Sequence, residues 1–225
     1  MASRVNRGSR RGAARRPSVP REAAKDETRR ALIAAGLTEF AQHGLDLPSL
    51  DAICSRAGYT RGAFYVHFRD RDDFLVAVME YVIGTFIDAV IATGDEAHDL
   101  ERTIEHFAAA ATAALAARSA GAASPGEGGI LPFALGFAFH RLLEAVWRSA
   151  ELRTRFVDLV REGTARVAAA TRRGQSAGTI RRDVDAEDLA FVLAALALGV
   201  ITAIETGVPF DVAGVRNAVQ RLIRA

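Results

Sequence analysis

Between Thr60 and Phe68 the run TRGAFYVHF sets Arg61, Tyr65 and His67 beside the small residues Gly62 and Ala63. A guanidinium fork, a phenol and an imidazole are hydrogen-bonding groups of long reach, and the small residues let the backbone approach a partner closely. Phe64 and Phe68 lie four apart, so on a helix they share the inward face, and the polar set, with Val66, falls on or near the opposite side. Such a mixed face suits a helix lying in a major groove, and the chemistry on offer there is recognition rather than bond-making.

Groups that make or break bonds form no constellation. His43, His67, His98, His106 and His140 show no metal-ligand spacing with cysteine or acidic partners beyond Asp99, Glu105 and Glu144, which read as solvated helix faces. There is no nucleophile elbow. The glycine-rich Ser119–Gly129 has no strand before it and no lysine followed by serine or threonine after it, so it reads as a loop rather than a phosphate cradle. Cys54 is the single cysteine; it excludes an intramolecular disulfide and reads as a small buried hydrophobe. No catalytic residue, metal or cofactor is expected.

The elements that must position the polar face are short. Ser49 is placed to cap a helix whose apolar side is Leu50, Ile53 and Cys54; Ala57 and Gly58 close it, and Thr60 caps the next. Two helices joined by a glycine turn spell a helix-turn-helix. An earlier helix from Lys25 to His43 presents Leu32, Ala35, Leu37, Phe40 and Ala41 as the face that buttresses the pair. Pro48 stands just before the second helix.

Over roughly these fifty residues the chain resembles the TetR family of bacterial transcriptional regulators. Phe40, Ala41 and Gly44 give F-A-x-x-G at the end of helix one, helix two carries S-L-x-x-I, the turn is A-G, and helix three is G-A-F-Y-x-H-F, followed by Arg71 and Leu75. Departures are small: Cys54 for the usual alanine, Tyr59 for valine, Arg71 for lysine, and Gly36 within helix one at a propensity cost of about 1 kcal/mol. Asp51, an uncomfortable guest near phosphate, is expected to face away or to fix an arginine. On this reading Arg61 goes to base edges, Gly62 and Ala63 allow close approach, and Thr60, Tyr65, His67 and Arg71, with Ser49, go to phosphates or the groove rim.

The whole chain of 225 residues, half of them hydrophobic, reads as all-α and long enough for one or two domains. Three parts are expected: a disordered arginine-rich tail over 1–25, a helix-turn-helix DNA-binding domain over 26–70, and a larger helical domain over 71–225 for ligand binding and dimerisation. The tail holds eight basic residues against Glu22, so it carries about +7 while the net charge is only +2; such an arm could lie along phosphates or enter a minor groove. It lacks the apolar run of a secretory signal, which points to the cytoplasm.

Beyond Asp70, a cap candidate, a fourth helix is expected to bury Phe74, Val78, Tyr81, Val82, Phe86 and Val90. Further helices are expected over Asp99–Arg118, Leu131–Trp147, Leu152–Arg173 (Phe156, Val157, Val160 and Val167 inward), Leu189–Ile204 and Val212–Arg224. Leu189–Ile204 is apolar all round, but at sixteen residues falls short of the ~20 a membrane span needs; a subunit interface covers such a helix better.

The resemblance implies a small-molecule cavity in the larger domain, for which Phe86, Phe107, Phe137, His140, Trp147 and Phe156 are the candidates. It also implies a dimer built from the last two long helices, through Val192, Leu196, Val215, Val219 and Leu222. The expected partners are double-stranded operator DNA, a second copy of the chain and an unidentified hydrophobic effector, with no membrane. The rival is a dimeric helical scaffold without specific DNA binding.

Overall fold

The computed structural model describes residues 21–91, 100–119 and 139–225. Within them the chain is all-α: α1 (Arg21–His43), α2 (Leu50–Ala57), α3 (Arg61–His67), α4 (Arg71–Val90), α5 (Leu100–Ser119), α6 (Phe139–Arg148), α7 (Ala150–Ala177), α8 (Ala186–Thr206) and α9 (Val212–Ile223). Side-chain oxygens of Ser49, Thr60, Asp70, Ser149, Asp185 and Asp211 accept from first-turn N–H groups of α2, α3, α4, α7, α8 and α9, so local chemistry sets most of the starts. Gly58 (φ 75°) takes the left-handed conformation that ends α2 and turns the chain toward α3.

The first three helices and the start of α4 close around four rings. Phe74 lies 4.9 Å from Phe68, 5.3 Å from Phe64 and 6.0 Å from Phe40, centroid to centroid. Gly36 explains itself here: a Cβ at that position would come within 2.5 Å of Phe74 Cζ. The glycine is the space the ring occupies. Arg56 of α2 ties back to Glu39 of α1 at 2.5 Å and to Gln42 at 3.2 Å, holding the two helices in register.

From this head α4 runs into the larger body, where it packs on α5 and α7. α8 lies along α7, and α9 packs on α5, its end pinned by the bond from the Arg181 N–H to the Ile223 carbonyl at 2.9 Å. A second small core of Leu100, Ile180, Leu189 and Ile223 fastens this end.

Several expected boundaries and faces differ. α1 begins at Arg21, so Arg21–Lys25, assigned to the tail, is helical; residues 1–20 lie outside the described residues. α7 continues through Gly174–Ala177, because left-handed Gly178, not Gly174, stops it. Tyr81 and Val157 are exposed rather than buried; Met79, Ile83 and Leu159 fill the interior instead. The expected helix Leu131–Trp147 is described only from Phe139, and the expected loop Ser119–Gly129 only at Ser119, the last residue of α5.

α8 is longer than the sixteen residues expected from the sequence. Asp185 caps α8 early, Glu187 and Asp188 join its first turn, and the helix reaches 21 residues, long and apolar enough to cross a bilayer by length and composition. Of the added residues Glu187, Asp188, Glu205 and Thr206 are polar, and Glu187 pairs with Arg172 of α7.

Candidate nucleic-acid interface and internal cavity

On α3, Phe64 and Phe68 are buried, while Arg61, Gly62, Tyr65 and Val66 are exposed and Ala63 and His67 half-buried. Ser49 and Thr60 accept from the N–H groups of Ala52 (3.1 Å) and Ala63 (3.3 Å). Capping engages only an oxygen lone pair, so each hydroxyl keeps its proton to donate to an anion. Arg61 has Tyr65 one turn on and the Asp51 carboxylate 3.5 Å from its Nε, and both favour its charged form.

Arg71, expected at a phosphate, also holds a loop within the protein. Its guanidinium donates to the carbonyls of Pro48 (2.7 Å) and Leu45, and lies 5.8 Å from the Phe40 ring centre. It fastens the loop that leads into α2.

Lys25, counted with the tail in the sequence, and Arg29, passed over there, line a polar cleft with Glu22 and Asp26 of α1 and Val66 and His67 of α3. Burial first, then the positive charges of Lys25 and Arg29, pull the His67 imidazole below its ordinary value. Their four-residue spacing was the available signal, overlooked because α1 read only as a buttress.

The larger domain holds a cavity of about 190 Å³ between α4, α5, α7, α8 and α9. Of the expected lining residues, Phe86, Phe107 and Phe156 line it, with Phe86 and Phe107 edge to face at 6.2 Å. Phe139 lines it too. Phe137 lies outside the described residues. Trp147 is turned to solvent at 76% exposure, because α6 buries Phe139, Leu142, Ala145 and Val146 on its other side. His140 is also outside the cavity wall: Glu205 of α8 accepts from the Phe139 and His140 N–H groups and faces His140 Nδ1 at 3.3 Å, making a cap for α6 from a distant helix. Aliphatic lining such as Ile83, Leu193 and Ile201 could not be told from ordinary core in the sequence. The polar lining is sparse, and Thr164 gives its hydroxyl proton to its own helix at Val160 and Arg161.

Of the residues assigned to dimerisation, Val192 and Leu222 are exposed at 59% and 66%. Leu196, Val215 and Val219 instead contribute to the cavity wall, and Leu196 is also open to solvent.

A capped helix-turn-helix joined by one long helix to a helical body with an apolar cavity defines a class, the two-part helix-turn-helix regulators. Residues 32–78 match the bacterial regulatory proteins of the tetR family, and residues 137–220 match the tetracyclin repressor-like C-terminal domain. The chain belongs to the TetR family. AcrR of Shigella flexneri, an HTH-type transcriptional regulator, is 41% identical over 54 residues, 24% of this chain and 25% of its own length. The chain thus matches only about a quarter of the length of such curated relatives. Over most of its length it shares a fold with SmeT of Stenotrophomonas maltophilia in complex with triclosan (TM-score 0.66, 21% identity, 88% of this chain and 92% of that one). A regulator from Saccharomonospora viridis in complex with choline is similar to the same degree (TM-score 0.65, 20% identity, 89% and 99%).

Proposed function

We propose that this chain is a dimeric transcriptional repressor that reads a palindromic operator with one α3 per half-site and releases it when a small hydrophobic effector enters the cavity. The observation that carries the reading is the double duty of α4. Phe74 in its first turn is packed among the rings of the head, and Phe86, Ile87 and Val90 near its other end line the cavity. Twenty helical residues make a rod of about 30 Å, so a shift at the cavity wall moves the head. Only an effector that prefers the non-binding arrangement can use the lever, since the shift is limited by differential affinity.

In this reading residues 26–70 bind DNA and 71–225 bind effector and dimerise, in the cytoplasm where operators are. Arg61 meets base edges, Ser49, Thr60, Tyr65 and His67 meet phosphate or groove rim, and Arg71 reaches phosphate only with the N–H groups its loop carbonyls leave over. The sparse polar lining supports an apolar effector, and SmeT, a named repressor captured with triclosan, is a precedent in a protein of the same fold. The open sides of α8 and α9 support a second copy.

Selection of random duplex DNA by the purified full chain is the test. An enriched palindrome with half-sites about 10 base pairs apart supports the reading. Binding without any enriched sequence would sink it and leave the helical scaffold. An operator complex that survives every apolar compound shown to bind the protein would remove the induction half alone.

A further inference from the structure

Asp51 makes none of the DNA contacts assigned above. It is exposed in the first turn of α2, beside Arg61 of α3, and on a surface facing a duplex a carboxylate is repelled by phosphates. Its neighbour is Arg61: the Asp51 carboxylate is 3.5 Å from Arg61 Nε. A guanidinium has five N–H donors in a rigid plane. With the Nε edge turned to Asp51, the pair of N–H groups left for a bidentate contact is at the terminal nitrogens, the geometry that matches guanine O6 and N7.

We propose that Asp51 is a positioning residue which aims Arg61 at a guanine and so sets the base preference of the operator at that position. The proposal rests on the reading of α3 as the DNA-reading helix. A free arginine on an exposed helix can swing to the nearest phosphate and bind every sequence alike. A carboxylate at its Nε opposes that swing, because following the arginine toward phosphate separates the pair, whereas meeting a guanine keeps it. Asp51 therefore lowers affinity for DNA in general and raises the ratio of specific to non-specific binding.

The test uses the full-length protein in four forms: wild type, Asp51→Asn, Asp51→Glu and Arg61→Ala. Each is put through random-duplex selection, then titrated on the selected site and on the same site with the candidate guanine changed to adenine. Thermal melting checks that each form is folded. Wild type is expected to discriminate the two duplexes by about tenfold or more, and Arg61→Ala to lose that discrimination. Asp51→Asn, which removes the charge but keeps the shape, is expected to bind non-specific DNA as well as or better than wild type while its discrimination falls at this one position; Asp51→Glu is expected to restore part of it. Full discrimination in Asp51→Asn, or a loss spread evenly over all positions, overturns the proposal. A wild-type selection with no enriched sequence overturns the reading beneath it, and the proposal with it. A preferred base other than guanine at the position Arg61→Ala erases overturns it also.

Discussion

The head and the body of this molecule use the same residue for opposite ends. Phe40, Phe64, Phe68 and Phe74 fill the space between α1, α3 and α4 so completely that a glycine is needed where the last ring meets α1. Phe86, Phe107, Phe139 and Phe156 stand around a space of about 190 Å³ instead. A close-packed aromatic core resists deformation, whereas a wall with no partner atoms on one side has forfeited part of its dispersion energy and can re-form around a guest. On the proposed reading the contrast is a division of labour: the part that holds a fixed pattern toward DNA is close-packed, and the part that accepts a small molecule is underfilled. α4 has one end in each.

The comparison breaks first if the head tolerates loss of its central ring. Phe74 is fully buried, so Phe74→Ala is expected to cost about 3 to 5 kcal/mol, seen as a large drop in the urea midpoint and loss of DNA binding at ordinary temperature. A loss below about 1 kcal/mol, the range of an ordinary surface change, would mean the head is not close-packed. Gly36→Ala sharpens the same point. By helix propensity alone it should stabilise α1 by about 1 kcal/mol; against the Phe74 ring it is expected to destabilise by about 1 to 3 kcal/mol through overpacking. The sign of the change in melting temperature decides between them.

Gly36 also marks the boundary of what could be read beforehand. The helix-turn-helix was legible because its devices are local: Ser49, Gly58 and Thr60 each act within a few residues of themselves. The reason for Gly36 is a ring thirty-eight positions away along the chain, and nothing in α1 discloses it. His140 and Trp147 lie off the cavity wall for the same cause. An apolar helix rich in aromatics shows that something is buried, but which side depends on α8, whose Glu205 takes the N-terminus of α6 and fixes its rotation. Arg71 was read for its charge, and its use on the carbonyls of Leu45 and Pro48 depends on the fold of a loop. The cavity was legible only in its aromatic residues, since aliphatic lining and aliphatic core have the same composition.

In the body the sharper test concerns its open face. Val192 and Leu222 are exposed, so glutamate at either site is expected to leave the melting temperature of an isolated chain nearly unchanged, as surface substitutions do, within about 0.5 kcal/mol. If the face meets a second copy, the same changes bury a charge without a partner and shift sedimentation from dimer to monomer. Val192→Glu and Leu222→Glu proteins that stay dimeric would place the interface elsewhere; a large fall in stability of a chain already monomeric would show that this face belongs to the interior.

The smallest effect is set by His67, at the edge of the rigid head. Its imidazole titrates below the ordinary 6.5 because burial, Lys25 and Arg29 all disfavour the charged form. For a base with a depressed folded value, the unfolded chain takes up the proton first as pH falls. The stability due to the neutral ring is therefore present above 6.5 and lost as pH drops through the lower folded value. On the proposed reading operator DNA reverses the sign. Phosphates beside His67, Lys25 and Arg29 favour the imidazolium, so binding takes up a proton and operator affinity rises as pH falls through this window, while the free protein becomes less stable. A shift of one unit between free and bound values corresponds to at most about tenfold in affinity. Titrations of wild type and His67→Gln from pH 7.5 down to 5.5 separate this group from the other histidines. The pH dependence is expected to shrink in the variant, and equal slopes in both proteins would mean that His67 stands away from the phosphates and that the cleft beside α1 is not part of the DNA-facing surface.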